Sequence, residues 1–148
     1  GLLLTADGPR VLEFNARFGD PETQVILPRL KTDLLEVFLA AVGGKLGDFK
    51  VEWEDNACVG VVVASGGYPG DYETGYPVYG LDALDGALAF QAGTKVSDGP
   101  GPPLSAGGRV ATIVACGEDI AAARAKAYAE VARVGFVGSF YRRDIAEL

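Results

Sequence analysis

Apolar and polar positions fall into short runs along this chain, each closed by glycine or proline. Residues 1–5 and 10–14 read as two strands joined through Ala6-Asp7-Gly8-Pro9, a hairpin-type turn. The chain thus opens in the middle of a sheet, which raises the expectation that something upstream has been cut away. Asp20-Pro21-Glu22-Thr23 predicts a helix start, with Asp20 accepting a first-turn N–H, Pro21 at the first helical position and Glu22 at the positive end. Pro28 should kink or end that helix, and Asp33-Leu34-Leu35-Glu36 reads as a capping-box-like restart that runs to Gly43-Gly44.

The Val-rich run 58–64 predicts a buried strand, followed by the loop Ser65-Gly66-Gly67-Tyr68-Pro69-Gly70-Asp71-Tyr72 and Gly75. Residues 87–91 and 109–116 read as further strands on either side of a Pro/Gly-rich loop at 99–108. Asp119 opens the longest predicted helix, reaching about Val134, with Ile120, Ala123, Ala127, Val131 and Val134 as its apolar stripe and Gly135 as its C-cap. Residues 136–141 complete the pattern as a short strand. The order implies an α+β fold rich in antiparallel pairing, without internal repeats and without a linker long enough for two independent domains.

Composition then narrows the chemistry. Apolar residues make up 49% and charged residues 22% of the 148, a globular balance. The net charge of −7 argues against general nucleic-acid or anionic-membrane binding. No stretch approaches a bilayer span, and the reading is of a soluble, unexported, cytoplasmic chain. Histidine is absent, which excludes His-based nucleophilic pairs and His-ligated zinc within this chain. Cys58 and Cys116 lie in apolar runs and read as two reduced core thiols, a bridge being a matter of geometry. Any metal must be held by oxygen, which suits Mg²⁺.

The most informative stretch is Glu13-Phe14-Asn15-Ala16-Arg17-Phe18-Gly19-Asp20-Pro21-Glu22. On an extended strand Glu13, Asn15 and Arg17 share one face, and Leu12, Phe14 and Ala16 share the other, toward a core. Glu13 and Asn15 offer hard oxygen ligands for Mg²⁺, and Arg17 offers a planar fork for a carboxylate or phosphate. The helix that follows would present free N–H groups to an anion. The plain alternative is a solvent-facing strand carrying a Glu–Arg ion pair.

This segment, with the following Thr23-Gln24, closely resembles the signature of the glycinamide ribonucleotide synthetase family of ATP-grasp enzymes. The resemblance continues through Gly67-Tyr68-Pro69-Gly70-Asp71-Tyr72, Ala92-Gly93-Thr94, Gly107-Gly108-Arg109-Val110 and Tyr141-Arg142-Arg143-Asp144-Ile145, over essentially the whole chain. It implies the C-terminal third of such an enzyme: residues 1–30 as the last strands and helix of the ATP-grasp domain, and 31–148 as a C-terminal, mostly antiparallel sheet packed with helices. It implies a ligase that joins glycine to 5-phosphoribosylamine with ATP as co-substrate, through glycyl phosphate, in purine biosynthesis.

The remaining N-terminal portion of the enzyme would be the chain's partner, and Mg²⁺ or Mn²⁺ its metal. Related ATP-grasp ligases or carboxylases, or a non-catalytic scaffold module of the same descent, are the alternatives. By this resemblance Glu13 and Asn15 ligate the metal, and Arg17 orients the glycine carboxylate or the transferred phosphoryl group. Asp20 and Glu22 hold the glycine ammonium or serve as cap and helix-end charge, and Gly19 lets the backbone turn or approach a ligand. Gly107-Gly108-Arg109 reads as a strand start or a ribose-phosphate cradle, and Arg142-Arg143 as a second cationic contact or a solvated edge. Tyr68-Pro69-Gly70 reads as a rigid loop or a ligand contact, and Trp53, Tyr76 and Tyr79 as packing residues rather than base-stacking platforms. One departure stands out: Gln91 occupies the position where the family carries histidine, so no catalysis is assigned to it.

Overall fold

The computed structural model describes residues 1–147. β1 (Leu2–Thr5) and β2 (Gly8–Val11) pair antiparallel, Leu2 opposite Val11 and Thr5 opposite Gly8. The turn is tighter than its sequence suggests, because Gly8 adopts φ 102° and its carbonyl accepts the Thr5 hydroxyl at 2.8 Å. The second strand does not reach residue 14. Leu12 N–H still finds the Gly1 carbonyl at 2.9 Å, but no strand among the described residues lies beside the chain beyond that point. Leu12 and Phe14, expected to face a core, are 67% and 92% exposed, and Ala16 is exposed with them.

The Asp20–Thr23 helix start produces a single turn, α1 (Thr23–Ile26), running into a 3-10 turn over Leu27–Arg29. Pro28 has no N–H to continue the ladder, so the helix stops there as expected. Asp20 is not its cap. The carbonyls of Gly19 and Glu22 take the first-turn N–H groups of Thr23, Val25 and Ile26, which leaves the Asp20 carboxylate to accept from Gln24 Nε2 at 2.8 Å. One turn of helix also lacks the aligned dipole that an N-terminal anion site requires. α2 (Leu34–Val42) follows its sequence closely: Asp33 Oδ1 caps Leu35 N–H at 2.7 Å, and Gly43 and Gly44 end it. The chain then returns beside its own departure, with a bridge between Leu30 and Trp53.

The core is a three-stranded antiparallel sheet in the order β3 (Ala57–Ala64), β7 (Arg109–Gly117), β4 (Leu88–Gln91). Val59, Val61 and Val63 alternate onto the face covered by α3 (Ile120–Val131), where they meet Ile113, Ala115, Ala123, Ala127 and Val131. The small alanine stripe lets α3 lie close to the sheet. Asp119 Oδ1 caps α3 through Ala122 N–H at 2.7 Å; the helix ends at Ala132 rather than Gly135, and Ile120 stays exposed at its first turn. The opposite face carries Cys58, Gly60 and Val62 and meets α1, where a Cβ on Gly60 would lie 2.9 Å from Val25 Cγ1.

Two further differences concern loops. β5 (Thr94–Lys95) and β6 (Leu104–Ser105) form a two-residue ladder in a region read largely as loop. Residues 136–141 do not form a strand: Phe140 bridges Ala64 alone, because a turn through Gly138 (φ 74°) and the Ser139-to-Phe136 bond interrupt the extension.

Candidate functional site

Glu13 and Asn15 lie on the exposed segment that leaves the hairpin, and their side chains do meet. Asn15 Nδ2 donates to Glu13 Oε1 at 3.2 Å, so a carboxylate and a carboxamide stand together on one side of the chain. The shared face predicted from alternation is therefore present without a flanking strand. Two hard oxygen donors, exposed and adjacent, fit an ion that fills its other positions with phosphate oxygens and water. Among the described residues no three His, Cys, Asp or Glu side chains gather into a site by themselves.

Arg17 points elsewhere. Its Nη1 donates to the neighbouring Phe18 carbonyl at 2.8 Å, with no ion pair to Glu13 among the described residues, which removes the simple Glu–Arg strand reading. At Gly19 the chain passes so close to Glu22 that a Cβ would lie 2.3 Å from its Oε2 and 3.5 Å from Asn15 Nδ2. Gly19 is thus the point where the Asn15 carboxamide and the Glu22 carboxylate converge.

Asp20 makes the junction with the rest of the fold. Arg109, the first residue of β7, pairs with Asp20 Oδ2 at 3.1 Å and donates a second bond to the Asp20 carbonyl at 3.2 Å. This contact spans 89 positions and has no local signature in the sequence. Gly107-Gly108-Arg109 is a strand start, as its sequence allowed, and it also clamps the Asp20 turn. The clamp is braced from behind: Ser65 Oγ donates to the Gly107 carbonyl at 2.8 Å, and Ser65 N–H to the Gly108 carbonyl at 2.8 Å. The Tyr68 ring packs against buried Gly108, where a Cβ would come within 2.2 Å of it. Segments 15–22, 65–72 and 107–109 therefore form one cluster.

The other singled-out residues have local partners. Gln91 Oε1 accepts from Thr94 Oγ1 at 2.9 Å, a structural bond across the β4–β5 corner. Arg142 pairs with Asp144, which raises the guanidinium and lowers the carboxylate relative to their ordinary values. The carbonyls of Arg142, Arg143 and Ile145 are held by Tyr128 and Arg124 of α3 at 2.8–2.9 Å, so this motif fastens the C-terminal segment to the helix. Tyr76 bonds the Glu73 carboxylate, whose hydrogen bond and charge raise its phenol. Trp53 and Tyr79, expected to pack, remain about half exposed or more, since each lies in a single bridge at the margin of the fold.

The chain is similar to known proteins over nearly its whole length. Residues 58–148 match the family described as Phosphoribosylglycinamide synthetase, C domain. The chain is 52% identical over 146 residues to Phosphoribosylamine--glycine ligase of Caldanaerobacter subterraneus subsp. tengcongensis, covering 99% of this chain and 34% of that protein. It is 51% identical over 148 residues to Trifunctional purine biosynthetic protein adenosine-3 of Gallus gallus, covering 98% of this chain and 15% of the other. The crystal structure of Phosphoribosylamine--glycine ligase from Thermotoga maritima superimposes with a TM-score of 0.72 at 38% identity, over 98% of this chain and 35% of that one. Fold and motifs together define the class, an α+β chain that matches one part of these longer ligases. The chain belongs to the phosphoribosylglycinamide synthetase family, and spans about a third, 34%, of the length of the bacterial relative it matches first.

Proposed function

We propose that this chain is the C-terminal part of an ATP-dependent ligase that joins glycine to 5-phosphoribosylamine, giving glycinamide ribonucleotide, ADP and phosphate. The observation that carries the reading is the juxtaposition of Glu13 and Asn15, 3.2 Å apart, on the segment that Arg109 clamps through Asp20. The glycine carboxylate attacks the γ-phosphoryl group of ATP, and the amine of phosphoribosylamine captures the resulting glycyl phosphate. Both steps concentrate negative charge on oxygen, so positioning and cationic groups dominate catalysis.

Glu13 and Asn15 are the residues that would hold Mg²⁺ or Mn²⁺. Such an ion supplies charge stabilisation to phosphoryl oxygens. Arg17 orients the glycine carboxylate or the phosphoryl group with the guanidinium N–H groups not committed to Phe18. Asp20 and Glu22 flank Gly19 as carboxylates suited to the glycine ammonium. The residues that enclose adenine and the triphosphate belong to the rest of the polypeptide, which also covers exposed Leu12 and Phe14. Residues 1–30 close the ATP-grasp domain and 31–148 form the C-terminal domain. We place the reaction in the cytoplasm; among the described residues no helix is long and apolar enough to cross a membrane.

The test is nucleotide release by the full-length protein. ADP should form only when glycine, phosphoribosylamine and Mg²⁺ are all present. ATP cleavage that ignores glycine, or that runs with another carboxylate in its place, removes this assignment in favour of a different ATP-grasp ligase.

A further inference from the structure

Cys58 on β3 and Cys116 on β7 stand directly opposite each other in the antiparallel register. Their Sγ atoms are 3.4 Å apart, with Cys116 donating to Cys58 across 58 positions of sequence. Both are free thiols and half-buried. The alternation that sends Val59 and Val61 into the core turns Cys58 to the other face, beside α1. There it lines a cavity of about 240 Å³ with Pro21, Glu22, Val25 and Ile145. Cys58 therefore borders open space and the candidate site, unlike the fully buried core residues.

Directly opposed residues of an antiparallel pair have Cα atoms about 4.5–5.5 Å apart, inside the span that a disulfide bridges. The sulfurs, 3.4 Å apart, have to close to a bond of about 2.0 Å. Two sulfurs are half of a tetrahedral zinc site, and among the described residues no third His, Cys, Asp or Glu joins them. The pair is arranged for bridging.

We propose that Cys58 and Cys116 form a site of covalent modification by thiol–disulfide exchange, with a small-molecule disulfide as co-reactant and a cross-strand disulfide as product. Burial, then the hydrogen bond and charge of neighbouring Cys116, push the Cys58 thiol up to about 12. One of the two cysteines, as its thiolate, attacks one sulfur of the reagent; the reagent's S–S bond breaks and one thiolate leaves. The other cysteine gives its proton to that thiolate and attacks the protein sulfur of the mixed disulfide. The second reagent thiolate leaves as the Cys58–Cys116 bond forms. Two protein thiols are oxidised and one disulfide is reduced to two thiols. The product staples β3 to β7 beside the Pro21–Val25 wall.

Full-length protein is incubated with excess glutathione disulfide, quenched in acid, and digested without reductant. Mass spectrometry should find the peptides of Cys58 and Cys116 joined, two hydrogens lighter and free of glutathione. With one cysteine removed, Cys58→Ser or Cys116→Ser, at least one of the two variants should instead retain glutathione on its remaining cysteine. Wild-type protein in which both cysteines stay alkylatable, or each carries its own glutathione, overturns the proposal. Phenylarsine oxide gives an independent reading on unmutated protein, since it bridges neighbouring thiols with loss of water. It should protect both cysteines from alkylation until a dithiol is added, and failure to protect them overturns the proposal as well. Both readings are masses, independent of ligase turnover.

Discussion

At the residue scale, the Glu13–Asn15 contact and the Arg109 clamp make different demands. If the pair holds the metal, Asn15→Ala in the full-length protein should lower kcat about tenfold or more and move Mg²⁺ saturation to higher concentration. Steady-state kinetics over a Mg²⁺ series checks this, and an unchanged rate and Mg²⁺ dependence would remove both residues from the metal site. Arg109 and Asp20 are each 41% exposed, so their ion pair is worth about 0.2–1 kcal/mol to stability. Arg109→Ala should therefore shift the urea midpoint little. It should raise KM for glycine more than it lowers kcat, because the Asp20 turn loses its anchor. Comparing denaturation with kinetics on one protein preparation separates the two effects.

At the element scale, close approach and a helix-borne carboxylate hold the parts in register. Gly108→Ala drives a methyl group to within 2.2 Å of the Tyr68 ring, and this overpacking should cost about 1–3 kcal/mol in urea unfolding. Glu130, near the end of α3, accepts Asp85 N–H at 2.9 Å and pairs with Arg133 at 3.0 Å. The Asp85 bond, then the Arg133 charge, hold its carboxyl below the usual carboxylate range despite opposing desolvation. A carboxylate depressed in the folded state stabilises it fully above the usual range, and that stabilisation fades as pH falls through the folded value. Glu130→Gln should thus lower Tm at neutral pH, and the difference from wild type should close in acid. A gap independent of pH would show that charge is not its origin.

At the scale of the whole molecule, burial is uneven. The β3–β7–β4 sheet and α3 form a closed core, whereas the β1–β2 hairpin, the segment after it and α2 expose leucines and aromatics. Val42 of α2 is 90% exposed, and Ala40 is that helix's buried residue. Apolar surface of this extent marks an interface, which agrees with a chain spanning 34% of its bacterial relative. Phe14→Ser should change the stability of the 148-residue chain by under about 0.5 kcal/mol, as at other open surface positions. If the remaining sequence of the full-length protein covers Phe14, the same change should cost several-fold more there. Equal effects in both would mean that Phe14 stays open to solvent.

Local chemistry determined what the sequence could reveal: the Asp33 and Asp119 caps, the Val-rich strand, the alanine stripe of α3, the stop at Pro28, and the side-by-side Glu13 and Asn15. Each depends on partners a few positions away, so spacing carries the information. Strand length after Val11, the fate of 136–141 and the depth of Phe14 were set by which segments lie alongside, and periodicity does not encode that. The Arg109–Asp20 clamp, Tyr68 resting on Gly108 and the facing sulfurs of Cys58 and Cys116 join residues 40 or more positions apart. Only folding decided those contacts, because hydrophobic burial on α3 brought β3 and β7 together and carried the polar partners with them.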